Sequence, residues 1–252
     1  SLSHQGILTM THANSKPLKG KVAVITGAGR GIGRAIALAY AQAGAAVVCS
    51  ARSATEIAET VRLIIEADGQ AIAQTADVGN YEAVVTLYQR ASDEFGGVDI
   101  VVANAGVATE QRRIEDSDPA QWRETIDINL TGAYHTAHAA IPHLRRRGAG
   151  KIIMIGSGQR YRATPGFSAY SCSKSGMWML TQSLAVELLE YNISVNELIP
   201  GPVQTEMTRN AAIPPGEWFK KPEDVVPMAL FLADMPDVGP TSQSYSLMRR
   251  AN

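Results

Sequence analysis

The stretch Val22-Ala23-Val24-Ile25-Thr26-Gly27-Ala28-Gly29-Arg30-Gly31-Ile32-Gly33 decides the fold. An apolar run, a glycine-rich turn and the helical run Ala35–Tyr40 follow one another, as in a buried strand, a tight turn and a helix start. Glycines let the backbone turn sharply and approach a pyrophosphate, which rests on helix N-terminal N–H groups and the positive end of the helix dipole. The spacing is Gly27-x-x-x-Gly31-x-Gly33, so the strict dinucleotide fingerprint fails. Alone, the turn also suits a strand and a helix that merely pack closely.

Outward from this unit the pattern repeats. Ala46–Cys49, Ala71–Ala73, Asp99–Ala103, Lys151–Ile155 and Ile193–Ile199 read as strands. Ala54–Ala67, Tyr81–Phe95, Pro119–Arg147 and Ser168–Tyr191 read as helices, with Pro119 suited to a first turn and Gly148 to a stop. Short apolar runs alternating with helix-length segments imply a mostly parallel sheet covered on both faces. Right-handed crossovers then give a single-domain doubly wound α/β (Rossmann) fold, its sheet of about seven strands flanked by helices. No linker divides the chain. Residues 1–18 lack apolar periodicity and are set aside as a disordered extension, with Met10 suited to a natural start and Ser1–Thr9 foreign to it; the domain is residues 19–252. The proline-rich segment at about 202–221 follows a strand end and is expected to form a substrate lid.

Composition sets bounds. The chain has 252 residues, 45% of them hydrophobic, which suffices for a sizeable core. A net charge of −1 points to neither nucleic acid nor a membrane surface. No window is apolar for the ~18 residues of a membrane span. Cys49 and Cys172 read as small buried hydrophobes, which fits a reducing, cytoplasmic compartment. His135 and His138 read as helix-surface or interface residues, and no metal site is expected. Arg145-Arg146-Arg147 complements a helix dipole or docks an acidic carrier.

Tyr170-Ser171-Cys172-Ser173-Lys174 places a phenol and an ammonium at i and i+4, on one helix face. A cation beside a phenol stabilises phenolate and makes tyrosine a usable acid or base near neutrality. Ser157 lies just beyond the strand ending at Ile155, at the sheet edge that also carries the glycine turn. Ser171-x-x-Lys174 also matches a serine acyl-transfer motif, without its companion motifs.

Taken together, the glycine turn Thr26–Gly33, Asp77-Val78, Asn104-Ala105-Gly106, Asn129, Ser157, Tyr170-x-x-x-Lys174 and Pro200-Gly201 resemble the short-chain dehydrogenase/reductase family, in particular its 3-oxoacyl-[acyl-carrier-protein] reductase-like branch. The resemblance runs from about Lys19 to the C-terminus. It implies an oxidoreductase interconverting a carbonyl and a secondary alcohol, with Tyr170 exchanging the proton and Ser157 holding the substrate oxygen. Lys174 would bind the nicotinamide ribose and depress the Tyr170 pKa, while Asn129 would anchor a water leading to solvent. Cofactor contacts would come from Gly27, Arg30, Gly31, Ile32, Gly33, Asp77, Val78, Asn104, Gly106, Tyr170, Lys174, Pro200, Val203 and Thr205. Asp77 would meet the adenine, and Thr205 the nicotinamide carboxamide. A homotetramer built through the two long helices is also implied, with Trp178, Met179 and Leu180 supplying apolar area.

NAD selection normally uses a carboxylate at the end of the second strand. Here that neighbourhood is Ser50-Ala51-Arg52-Ser53, so Arg52, with Arg30 nearby, is expected to pair with a 2′-phosphate and favour NADP(H) over NAD(H). Arg160 and Arg162 lie between Ser157 and Tyr170, where they either select an anionic substrate or face solvent. No basic residue stands at Glu190-Tyr191-Asn192, where carrier-protein reductases dock their carrier, and the C-terminus lacks the familiar Gly-Gly close. A non-catalytic NADP(H)-binding sensor or scaffold, a sugar-nucleotide epimerase, a 3-oxoacyl reductase and a general ketone, sugar or steroid-type dehydrogenase all stay open at this point.

Overall fold

Strands made almost wholly of apolar residues are stable only where both sheet faces are covered. The structure, a computed structural model describing residues 16–209 and 216–249, meets that requirement. Strands β1 (Val22–Thr26), β4 (Ile100–Ala103), β5 (Gly150–Ile155) and β6 (Ile193–Ile199) are buried at every residue. They form the centre of a seven-stranded sheet with β2 (Ala46–Ala51), β3 (Gln70–Thr75) and β7 (Ser244–Ser246). The order is β3-β2-β1-β4-β5-β6-β7, and every pairing is parallel.

Helices α1 (Gly31–Gln42), α2 (Ala54–Glu66) and α7 (Val226–Asp234) stand with α3 (Tyr81–Phe95), α4 (Pro119–Ile126), α5 (Gly132–Arg147) and α6 (Ser168–Glu187) around this sheet. Two buried clusters fill the space between layers. One joins Tyr88, Leu87 and Leu144 to Val101 and Ile152; the other joins Tyr40, Ile36 and Ile57 to Ile25 and Val102. The strand order reverses between β1 and β4, so the connections leaving their C-terminal ends turn to opposite sides of the sheet and open a crevice, the usual ligand position of such sheets.

Several expectations are revised. The segment set aside as residues 1–18 ends too late: Leu18 is 1% exposed, and its N–H bonds the Ala43 carbonyl. Residues 1–15 lie outside the described residues. The helical stretch expected over Pro119–Arg147 is present with those bounds but carries a π turn at Asp127–Thr131, between α4 and α5. Within that turn the buried Asn129 side chain holds both the N–H and the C=O of the distant Val107. The helix expected to Tyr191 ends at Glu187, followed by a 3₁₀ turn and Asn192 in the left-handed region. Cys49 is buried as expected, but Cys172 is exposed on α6. Helix α7 and strand β7 went unread in the sequence.

Of the segment at 202–221, residues 210–215 lie outside the described residues. Its two legs are clamped together by a parallel bridge between Val203 and Lys220, with Lys220 N–H to Pro202 O at 3.0 Å and Gln204 N–H to Lys220 O at 2.8 Å.

Candidate active site

The glycine turn is shaped by close approach. Gly27 and Gly31 have φ of +65° and +54°, in the left-handed region that disfavours side chains. A Cβ on Gly33 would stand 2.2 Å from the Gly27 carbonyl oxygen. Asn104, at the end of β4, clamps this turn from the side: its Nδ2 donates to the carbonyls of Thr26 at 3.0 Å and Gly27 at 3.1 Å. Thr26, which sequence reasoning passed over, returns the tie by accepting the Asn104 and Ala105 N–H groups.

The N-terminus of α1 is open. Ser53, Asn80 and Asp118 cap α2, α3 and α4 with their side chains, whereas Arg30 gives α1 none and its first turn has no acidic residue. Uncompensated N–H groups above a side-chain-free glycine turn suit a pyrophosphate, so these residues fit a dinucleotide cofactor. Thr205 comes to this turn from the far side of the crevice, its methyl lying 3.3 Å from the Cβ position of Gly31. Ile32 packs on the core and Val203 is buried beneath the same edge. Buried Val78 follows exposed Asp77, whose carboxylate accepts the Gly79 N–H at 2.9 Å. Gly106 faces Asn129, whose Oδ1 stands 3.3 Å from its Cβ position.

Arg30 and Arg52 are both exposed near the end of β2. Arg30 makes one contact of 3.5 Å with Glu56, a carboxylate that covers Gly29. Arg34, also unread in the sequence, fixes this corner by bonding Thr60 Oγ1 at 3.0 Å and the Gly29 and Glu56 carbonyls.

Ser157 and α6 meet at the C-terminal end of β5. Ser157 Oγ accepts the Gln159 N–H at 3.2 Å and hydrogen-bonds the Tyr170 hydroxyl. Lys174 is 5% exposed; its Nζ donates to the Ile155 carbonyl at 2.8 Å and lies 5.7 Å from the Tyr170 ring centre. Asn129 completes the group through Ser173, 3.2 Å from its Nδ2. Its side chain therefore holds the loop after β4 and the Tyr170 helix.

Burial pushes the Tyr170 phenol above its ordinary pKa, with Ser157 pulling the other way. Burial lowers the Lys174 ammonium as well, to about 8, against the pull of the Glu197 carboxylate.

Glu197 is the functional residue least visible in the sequence. It sits in the middle of β6 with no exposure, and burial raises its carboxyl above the ordinary range. Arg160 meets its Oε2 through Nε at 3.1 Å and Nη2 at 3.0 Å, and Ser244 of β7 donates at 2.5 Å. Oε1 packs on Gly156, where a Cβ would come within 2.2 Å. Arg160 also lies over the rings of Tyr161 and Trp178. It is therefore not free to select an anionic substrate, which corrects one reading of Arg160; Arg162 is exposed. Among the described residues no cluster suited to a metal occurs, and no helix is long and apolar enough to cross a membrane.

The short chain dehydrogenase family model matches residues 21–214. The 3beta-hydroxysteroid dehydrogenase 1 of Eggerthella lenta is 39% identical over 86% of this chain and 87% of its own length. The 3-oxoacyl-[acyl-carrier-protein] reductase of Synechocystis is 36% identical over 87% and 91%. The crystal structure of carveol dehydrogenase from Mycobacterium avium in complex with NAD superposes with a TM-score of 0.85 and 30% identity, over 92% of this chain and 97% of that one. The similarity in sequence and fold runs along nearly the whole chain: it belongs to the short-chain dehydrogenase/reductase family, and is a carbonyl/alcohol oxidoreductase.

Proposed function

We propose that the protein is an NADP(H)-dependent oxidoreductase in which Tyr170 is the proton donor and acceptor. The observation that carries this reading is the contact of the Ser157 and Tyr170 hydroxyls beside the buried Lys174 ammonium, opposite the open N-terminus of α1. The nicotinamide supplies or takes the hydride. Ser157 and Tyr170 hold the substrate oxygen between two hydroxyls, where negative charge develops as hydride arrives. In reduction Tyr170 gives that oxygen its proton; in oxidation it removes one. A phenol raised by burial is protonated throughout the neutral range, so reduction is favoured there and oxidation grows as pH rises. Lys174 holds its charge below about 8 and steadies the phenolate left after proton donation. Asn129 keeps the helix of Tyr170 registered to the loop after β4.

The preference for NADP(H) rests on Arg52 and Arg30, two exposed guanidinium groups at the end of β2 without a carboxylate on that strand. Glu56 is the one group at this corner that would suit a free 2′-hydroxyl, and its pairing with Arg30 opposes that use. The reading further includes a cytoplasmic homotetramer, supported by exposed Met179, Val186 and Leu189 at α6 and Phe231 on α7.

The test is steady-state reduction of a carbonyl panel with each cofactor. Wild type is expected to favour NADPH at least tenfold in kcat/KM. Tyr170→Phe should abolish turnover while NADPH still binds, and Arg52→Ala should bring the two cofactors within a few-fold of each other. Turnover surviving in Tyr170→Phe would overturn the proton role. Equal use of both cofactors by wild type would overturn the preference. Cofactor binding with no Tyr170-dependent turnover would favour the sensor reading.

A further inference from the structure

Lys220 has no assigned role, and its environment is unusual. The residue is 4% exposed, yet Nζ has no hydrogen-bond partner among the described residues. An ammonium withdrawn from water without an acceptor is costly. The backbone leaves it little room to escape, since Lys220 is bridged to Val203 and bonded to Pro202 and Gln204.

Its Nζ lies 3.1 Å from the Cβ position of Gly201, the glycine that ends the β6 edge. Met248 touches the same glycine and also Gly158, the residue after Ser157. One methionine side chain thus lies against both Gly201, beside Lys220, and Gly158, next in sequence to Ser157. A second cation stands behind, with Arg249 5.8 Å and Lys220 5.4 Å from the centre of the Trp218 ring. The other charged groups that face Lys220 are Glu217 and Asp224, whose carboxylates accept the N–H groups of Arg249 and Lys221.

We propose that Lys220 is an anion subsite of the reaction crevice and receives the carboxylate of an oxo- or hydroxy-acid substrate. A single compact ammonium matches one carboxylate, which would satisfy the buried donor when substrate enters. Of the other cations near Ser157, Arg160 is held by Glu197 and Lys174 by the Ile155 carbonyl, so neither competes. The assignment rests on the oxidoreductase reading above. A cofactor phosphate has the same chemistry, but the open helix end at Gly31–Gly33 already suits it.

The test compares short, cyclic and aromatic oxo acids with their methyl esters, on wild type and Lys220→Met. Calorimetric affinity in the presence of NADP+ and kcat/KM with NADPH are both read. Wild type is expected to prefer acids to esters at least tenfold in both measures, and Lys220→Met to bring that ratio near one. NADPH affinity is expected to stay within twofold. No acid preference in wild type, or a ratio unchanged by the substitution, overturns the subsite. A tenfold loss of NADPH affinity assigns Lys220 to the cofactor instead and also overturns it. Acid-selective binding without hydride transfer would remove the oxidoreductase reading and leave the subsite. Tyr170-dependent turnover without acid preference would do the reverse.

Discussion

At the scale of single residues, Lys174 shows what catalysis costs this fold. Burial lowers its folded pKa to about 8 from the ordinary 10.5, so between those values the unfolded chain binds more protons than the folded one. Stability contributed by this site therefore rises with pH across that window, and the burial penalty is fully present at pH 7. Lys174→Met should abolish turnover yet unfold at a higher urea concentration than wild type at pH 7. Wild type should regain up to about 1.4 kcal/mol per pH unit on the variant between pH 8 and 10.5. Denaturation midpoints across that range, with no narrowing of the gap, would refute the account. Tyr170 and Lys174 were legible in sequence because their spacing places them on one helix face. Their protonation was not, since an i, i+4 spacing says nothing of how much water the surrounding strands exclude.

At the scale of elements, the β1–turn–α1 unit was legible in full, because strand, glycine turn and helix each carry a local signal. The turn also sets a sharp expectation. A methyl at Gly33 would stand 2.2 Å from the Gly27 carbonyl and 2.5 Å from Asn104 Nδ2, so Gly33→Ala must displace the clamp. A loss of about 1–3 kcal/mol in denaturant titration is expected, with NADPH affinity down at least tenfold by fluorescence titration. The elements that escaped reading lack local signals. Strand β7 is only Ser244-Tyr245-Ser246 and exists through pairing with Glu197, Leu198 and Ile199. The π turn at Asp127–Thr131 depends on Val107, twenty-two residues before Asn129, and no periodicity along α4 and α5 announces it.

Across the whole molecule, Glu197 joins three separate parts: β6, the turn after Ser157 through Arg160, and β7 through Ser244. A lone glutamate inside an apolar strand reads as an anomaly until the fold brings Arg160 opposite. Removing one partner of a buried pair leaves the other charge uncompensated, so Glu197→Ala should cost about 3–5 kcal/mol in urea unfolding. The double change Glu197→Leu with Arg160→Met should restore most of that stability. It should still lower kcat, because the turn carrying Ser157 loses its anchor. Full recovery of kcat by the double variant would show that the ion pair serves folding alone.

The distribution of this cluster along the chain has a consequence for its birth on the ribosome. Synthesis delivers Arg160 first, then Glu197, and only much later Ser244. A nascent chain can lay β5 beside β6 before Ser244 emerges, but Oε2 of Glu197 then lacks its hydroxyl donor. The anchor of the Ser157 turn is thus completed only once Ser244 has been translated, and polypeptides interrupted before Ser244 should persist as chaperone clients rather than as active enzyme.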